Sequence, residues 1–100
     1  MAGITVPKTR IAEFCRRHQI RKLALFGSVL RADFRPESDV DVLVEFQPGK
    51  HVGFFELYDL EEELSALFGG RKVDLNTPQS LSKYYRQEVV SEAEVEYVEA

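Results

Sequence analysis

Residues 39 to 44, Asp39-Val40-Asp41-Val42-Leu43-Val44, open by alternating polar and apolar side chains, a period of two that an extended strand satisfies. On a strand, Val40, Val42 and Val44 share one face while Asp39 and Asp41 project together from the other. Two carboxylates at i and i+2 repel each other unless a cation lies between them, and an all-oxygen pair suits a hard divalent ion such as magnesium. The competing reading is a strand with one solvated face. Asp is depleted in strands, however, and a merely polar face is built more cheaply from Thr, Lys or Glu.

The residues just before this run supply a complementary element. Leu23 to Phe26 reads as a short buried strand, and it ends in Gly27-Ser28. Val29 to Ala32 is helix-compatible, so backbone N–H groups and the Ser28 hydroxyl lie at a helix start, where phosphate binds and Gly27 permits close approach of a ligand. Arg31, one turn beyond Ser28, either reaches back to the same phosphate as a guanidinium fork or pairs at the surface with Asp33 or Glu37. Arg35-Pro36-Glu37-Ser38 reads as a turn, because Pro36 pushes Arg35 toward extended backbone. Ser38 there orients Asp39, touches a phosphate or simply completes the turn.

Gly27-Ser28, ten intervening residues and then Asp39-Val-Asp41 resemble the signature of the DNA polymerase β-like nucleotidyltransferase superfamily. Gly-Ser-x-x-Arg with Ser-Asp-x-Asp, and the later Gly-Arg-Lys-Val-Asp74-Leu-x-Thr-Pro, resemble its minimal branch, the MNT domains. The resemblance runs over most of the chain. It implies an antitoxin encoded beside a HEPN-domain RNase toxin, in a type VII-like pair, that silences the toxin by adding AMP to a hydroxyl, a tyrosine being the usual acceptor. It also implies a third catalytic carboxylate on a later strand, for which Asp74 in Arg71-Lys72-Val73-Asp74-Leu75 is the candidate; otherwise Asp74 is an exposed strand-end residue.

The remaining chain reads as scaffold. Residues 8 to 18 form a first helix, with Thr9 as N-cap and Ile11, Phe14, Cys15 and His18 at helical spacing. Cys15 then borders the core as an inert thiol, and His18 caps the helix or lies at the surface. From about Gly53 to Phe68, Phe54, Phe55, Leu57, Tyr58, Leu60, Leu64, Leu67 and Phe68 mark a second helix with its aromatic residues in the core and Glu61, Glu62 and Glu63 mostly exposed. Gly69-Gly70 stop it. Ser80 caps a short turn, and Leu81 to Val98 reads as a third helix with Tyr84, Tyr85, Val89, Ala93 and Tyr97 on one side. Pro48 to His51 is a turn with no assigned role.

Composition excludes several classes. One hundred residues suit one domain spanning 1–100, and 44% hydrophobic with 30% charged residues is globular rather than disordered. No apolar run approaches the roughly 20 residues that span a bilayer, and the start lacks a signal-peptide core. Cys15 is the only cysteine, so no internal disulfide forms and a cytoplasmic location is expected. The net charge of -4 divides unevenly: residues 1 to 35 carry a surplus of six positive charges and the rest a surplus of ten negative. The basic half is a solvated face, a wall for triphosphate or a dock for an acidic surface. So acidic a chain is a poor non-specific nucleic-acid binder.

The expectation is an α/β (α+β) domain, a small mixed sheet with helices on one side, of the polymerase β-like nucleotidyltransferase type. Asp39, Asp41 and Asp74 would hold two Mg²⁺ ions, Asp74 also serving as general base, while Gly27, Ser28 and Arg31 hold the ATP β- and γ-phosphates. The alternatives are an antitoxin that acts by occlusion alone, and a nucleotidyltransferase acting on a small molecule.

Overall fold

The computed structural model describes residues 6–30, 35, 38–84 and 86–99. In chain order the elements are α1 (Lys8–Arg17), β1 (Ile20–Phe26), a 3-10 turn (Gly27–Leu30), β2 (Val40–Phe46), α2 (Phe54–Leu67), β3 (Val73–Asn76), a second 3-10 turn (Pro78–Ser80), α3 (Arg86–Glu92) and β4 (Glu94–Val98). The four strands form one mixed sheet in the order β3-β2-β1-β4. β1 is antiparallel to both β2 and β4, and β2 is parallel to β3. The α2 crossover supplies the length that a parallel pair requires.

The period-two pattern does what it dictates: Val40, Val42 and Val44 are fully buried. With Leu23 and Leu25 of β1 they meet Ile11, Phe14 and Cys15 of α1 and Leu60 and Leu64 of α2 in one apolar cluster. The opposite face is not bare. Ala24 and Leu43, opposite each other across β1 and β2, are also buried, as is Leu81, and all three lie outside that cluster. The 3-10 turn before Leu81 contacts β2.

The largest departure is at the C-terminus. Leu81 to Val98 is not one helix: α3 spans only Arg86–Glu92, and Glu94–Val98 is a strand on the edge of β1. The sequence Glu94-Val95-Glu96-Tyr97-Val98 carries β-branched and aromatic residues at strand spacing, and β1 has a second row of backbone groups to pair. Residues 84 to 97 scan equally well at helical spacing, and the ladder decides.

Three local expectations also change. α1 begins at Lys8 with Pro7 in the N-cap position and no side-chain cap, so Thr9 lies inside the helix. α2 docks through Leu60 and Leu64, with Leu57, Leu67 and the C-cap Phe68 packed beside them, one stripe at helical spacing. Phe54, Phe55 and Tyr58 fall off that stripe and are exposed rather than in the core. Glu61 and Glu63 face the protein: a Glu61 carboxylate oxygen accepts the Leu75 N–H at 2.8 Å, and Glu63 accepts from the Arg17 guanidinium and lies 3.0 Å from His18 Nε2. Ser80 and Thr77 form a reciprocal capping box, as the short-turn reading expects.

Candidate active site

The site follows from three strand ends. β1 finishes at Phe26, opposite Asp41 of β2, and the parallel register sets Asp41 beside Asp74 of β3. β2 lies between β3 and β1, so Asp41 has Asp74 on one side and the exit of β1 on the other. Adjacent strands stand about 4.8 Å apart and register partners share a face, so Asp74 joins the face that Asp41 and Asp39 occupy by alternation. Asp39 and Asp41 are half-buried and Asp74 is exposed.

Gly27 shows how tightly this corner is built. Its φ of +74° is the left-handed region, and a Cβ placed there would stand 2.3 Å from Asp41 Oδ2. Glycine alone meets both demands. Sequence reasoning assigns Gly27 to the approach of a ligand; in the structure the group it approaches is the Asp41 carboxylate. Ser28 follows in the 3-10 turn, and its hydroxyl donates to the Asp39 carbonyl oxygen at 3.3 Å. The Gly-Ser element therefore braces both aspartates, one by its missing side chain and the other through its backbone.

Ser38 belongs to the turn ahead of Asp39. Its hydroxyl accepts the Arg35 N–H at 3.2 Å, and its own N–H donates to the Arg35 carbonyl at 3.0 Å. Arg71 Nη1 donates to that same carbonyl at 3.2 Å, which brings a cation to the approach to Asp39. No periodicity points to Arg71; its place depends on the α2–β3 loop folding back on the turn. Arg31, Asp33 and Glu37 lie outside the described residues.

Among the described residues, no three His, Cys, Asp or Glu side chains converge closely enough to hold a metal ion. The aspartates share a face without closing into a cluster. Their donor set nevertheless fits a hard cation, being wholly carboxylate, and Gly27 leaves Asp41 Oδ2 the space that a Cβ would fill. Cys15 plays no part: burial pushes its thiol up to about 12 against the weaker opposing pull of Arg16, so it is neither nucleophile nor ligand at neutral pH.

Residues 9–99 match the polymerase beta nucleotidyltransferase family. The chain belongs to that family. Among its relatives, protein adenylyltransferase MntA of Thermococcus cleftensis is 36% identical over 80 residues, covering 80% of this chain and 78% of that protein. A solved toxin–antitoxin complex with AMP-PNP superposes with a TM-score of 0.74 at 21% identity, covering 94% of this chain and 75% of that one. A tri-AMPylated HEPN toxin of Shewanella oneidensis in complex with its MNT antitoxin gives a TM-score of 0.65 at 21% identity, over 92% of this chain and 70% of the matched one. At that identity the two structures establish the nucleotidyltransferase fold. No helix among the described residues is long and apolar enough to cross a membrane.

Proposed function

We propose that this nucleotidyltransferase transfers AMP from ATP to a tyrosine hydroxyl of a HEPN-domain partner, as the antitoxin of a type VII-like pair in the cytoplasm. The observation that carries the reading is the register of Asp41 against Asp74, with Gly27 against Asp41. The adenylyltransferase relative and the complex of an AMPylated HEPN toxin with its MNT antitoxin, each in its own protein, support AMP transfer and a HEPN partner.

In this reading Asp39, Asp41 and Asp74 would hold two Mg²⁺ ions, which would supply charge neutralisation for the entering and leaving oxygens. Gly27, Ser28 and Arg31 hold the β- and γ-phosphates, and Ser38 keeps Asp39 in place through the turn. Asp74, the most exposed of the three carboxylates, takes the proton from the acceptor hydroxyl. The acceptor oxygen forms a bond to the α-phosphorus, the bond from that phosphorus to the β-phosphate bridging oxygen breaks, and pyrophosphate leaves.

The test mixes the protein with the product of its neighbouring gene, ATP and Mg²⁺, and weighs both chains by intact mass spectrometry. AMP added to the partner by wild type, and absent with Asp39→Asn/Asp41→Asn, is the expected result. A complex that blocks the partner with no mass added replaces enzymatic transfer by occlusion.

A further inference from the structure

α2 uses one stripe to hold the fold and leaves another in water. Leu60 and Leu64 are buried, with Leu57 and Leu67 packed against the same cluster, whereas Phe54 is 91% exposed, Phe55 89% and Tyr58 60%. Positions i and i+4, or i and i+3, are neighbours on a helix surface, so Tyr58 joins both phenylalanines into one patch. Three aromatic side chains at these exposures present roughly 500 Å². That lies in the upper half of the range for the largest apolar patch on an ordinary monomer, and is over half of one partner's share of a standard interface.

The surroundings say what fits there. α2 carries Glu56, Asp59, Glu61, Glu62 and Glu63 and no basic residue. Glu61 and Glu63 turn inward and Glu56 is paired with Lys50 at 3.0 Å, which leaves Asp59 and Glu62 exposed beside the aromatic residues. Tyr58 and Glu62 also line a cavity of about 160 Å³ with Lys72 and Val73. Val73 opens β3, and the next residue is Asp74. The patch is therefore continuous with the sheet edge that bears a candidate catalytic carboxylate.

We propose that Phe54, Phe55 and Tyr58 form the docking surface for the protein that carries the acceptor hydroxyl, a partner presenting an apolar slot rimmed by Lys or Arg. This rests on the AMP-transfer reading above. A second copy of α2 would set acidic residues against acidic residues, and an anionic membrane would repel the same rim. A basic-rimmed slot satisfies both the aromatic residues and the carboxylates, with the aromatics as anchors.

The test compares wild type with Phe54→Ser/Phe55→Ser against the product of the neighbouring gene, by calorimetric titration and by AMP-transfer kinetics. Both phenylalanines are solvent-exposed, so the variant should keep its fold, and an unchanged circular dichroism melt verifies this. The expected result is binding about 30-fold weaker or more. KM for the partner rises in parallel, while KM for ATP and kcat at saturating partner stay unchanged. Asp59→Lys/Glu62→Lys should weaken binding by about tenfold and reduce its salt dependence. Equal affinity of wild type and the serine variant overturns the docking surface and leaves AMP transfer standing. Failure of wild type to bind the partner overturns the AMP-transfer reading and this inference with it. Self-association of wild type in sedimentation, abolished by the serine variant, assigns the patch to a second copy and overturns the proposal.

Discussion

Gly27 and Gly49 are a natural experiment at the scale of single residues. Both adopt positive φ, +74° and +84°, yet a Cβ at Gly27 meets Asp41 Oδ2 at 2.3 Å and one at Gly49 meets nothing within 4 Å. Gly49→Ala therefore pays only the left-handed penalty of about 1–2 kcal/mol and should leave AMP transfer intact. Gly27→Ala carries the same penalty and must also displace the Asp41 carboxylate. A displacement near 1 Å is expected to lower kcat by about 100-fold. Parallel melting curves and transfer rates of the two variants check this, and equal rates would dissociate Gly27 from the site. The Gly-Ser element is legible from sequence because its residue types are so constrained, but the atom that Gly27 avoids lies 14 positions away and emerges only from strand pairing.

At the scale of elements, β3 shows how a short edge strand is held. It has four residues, pairs with β2 on one side only, and receives on its other side a carboxylate from α2: Glu61 accepts the Leu75 N–H. Glu61→Ala removes that acceptor and should cost about 1–2 kcal/mol, with faster hydrogen exchange at the Leu75 amide. Glu62→Ala, one position along and exposed, should change melting little. Exchange rates at Leu75 that match in the two variants would remove Glu61 from this role. α2 and β4 mark where periodicity runs out. Phe54 and Phe55 are as apolar as Leu60 and Leu64, and hydrophobicity alone does not tell a stripe that meets the sheet from one that meets solvent. Residues 94–98 form a strand because β1 offers an unpaired edge, a fact held by a segment 70 positions earlier.

Across the whole molecule, α1 and α2 are tied by one carboxylate. Glu63 accepts from Arg17 and meets His18 at 3.0 Å, and His18 also stacks on Phe14 with ring centroids 4.8 Å apart. Partial burial alone would raise the Glu63 carboxyl, but its bonds to Arg17 and His18 outweigh that and hold it below its ordinary value of 4.5. Folding thus favours the ionised form. The stability this adds is complete above pH 4.5 and is lost as pH falls through the lower folded value. The pair is partly solvated, so the contribution is on the order of 0.5 kcal/mol. Denaturation of Glu63→Gln from pH 7 to pH 3 should show a flatter acid limb, with the two proteins converging at the acid end. Curves that stay parallel throughout would count against the bridge.

Local chemistry was sufficient for the body of α1, for the buried face of β2 and for the inert Cys15, because each depends on residue type and spacing within a few positions. Even the β3 assignment was local, since glycines and a proline bound it. What no local pattern contained was which strand each edge would meet. The Asp41–Asp74 register, the fit of Gly27 against Asp41, the β4 ladder and the exposed aromatic stripe of α2 were all decided by tertiary structure. Each depends on backbone groups and side chains far apart in the chain, which pairing and burial alone bring together.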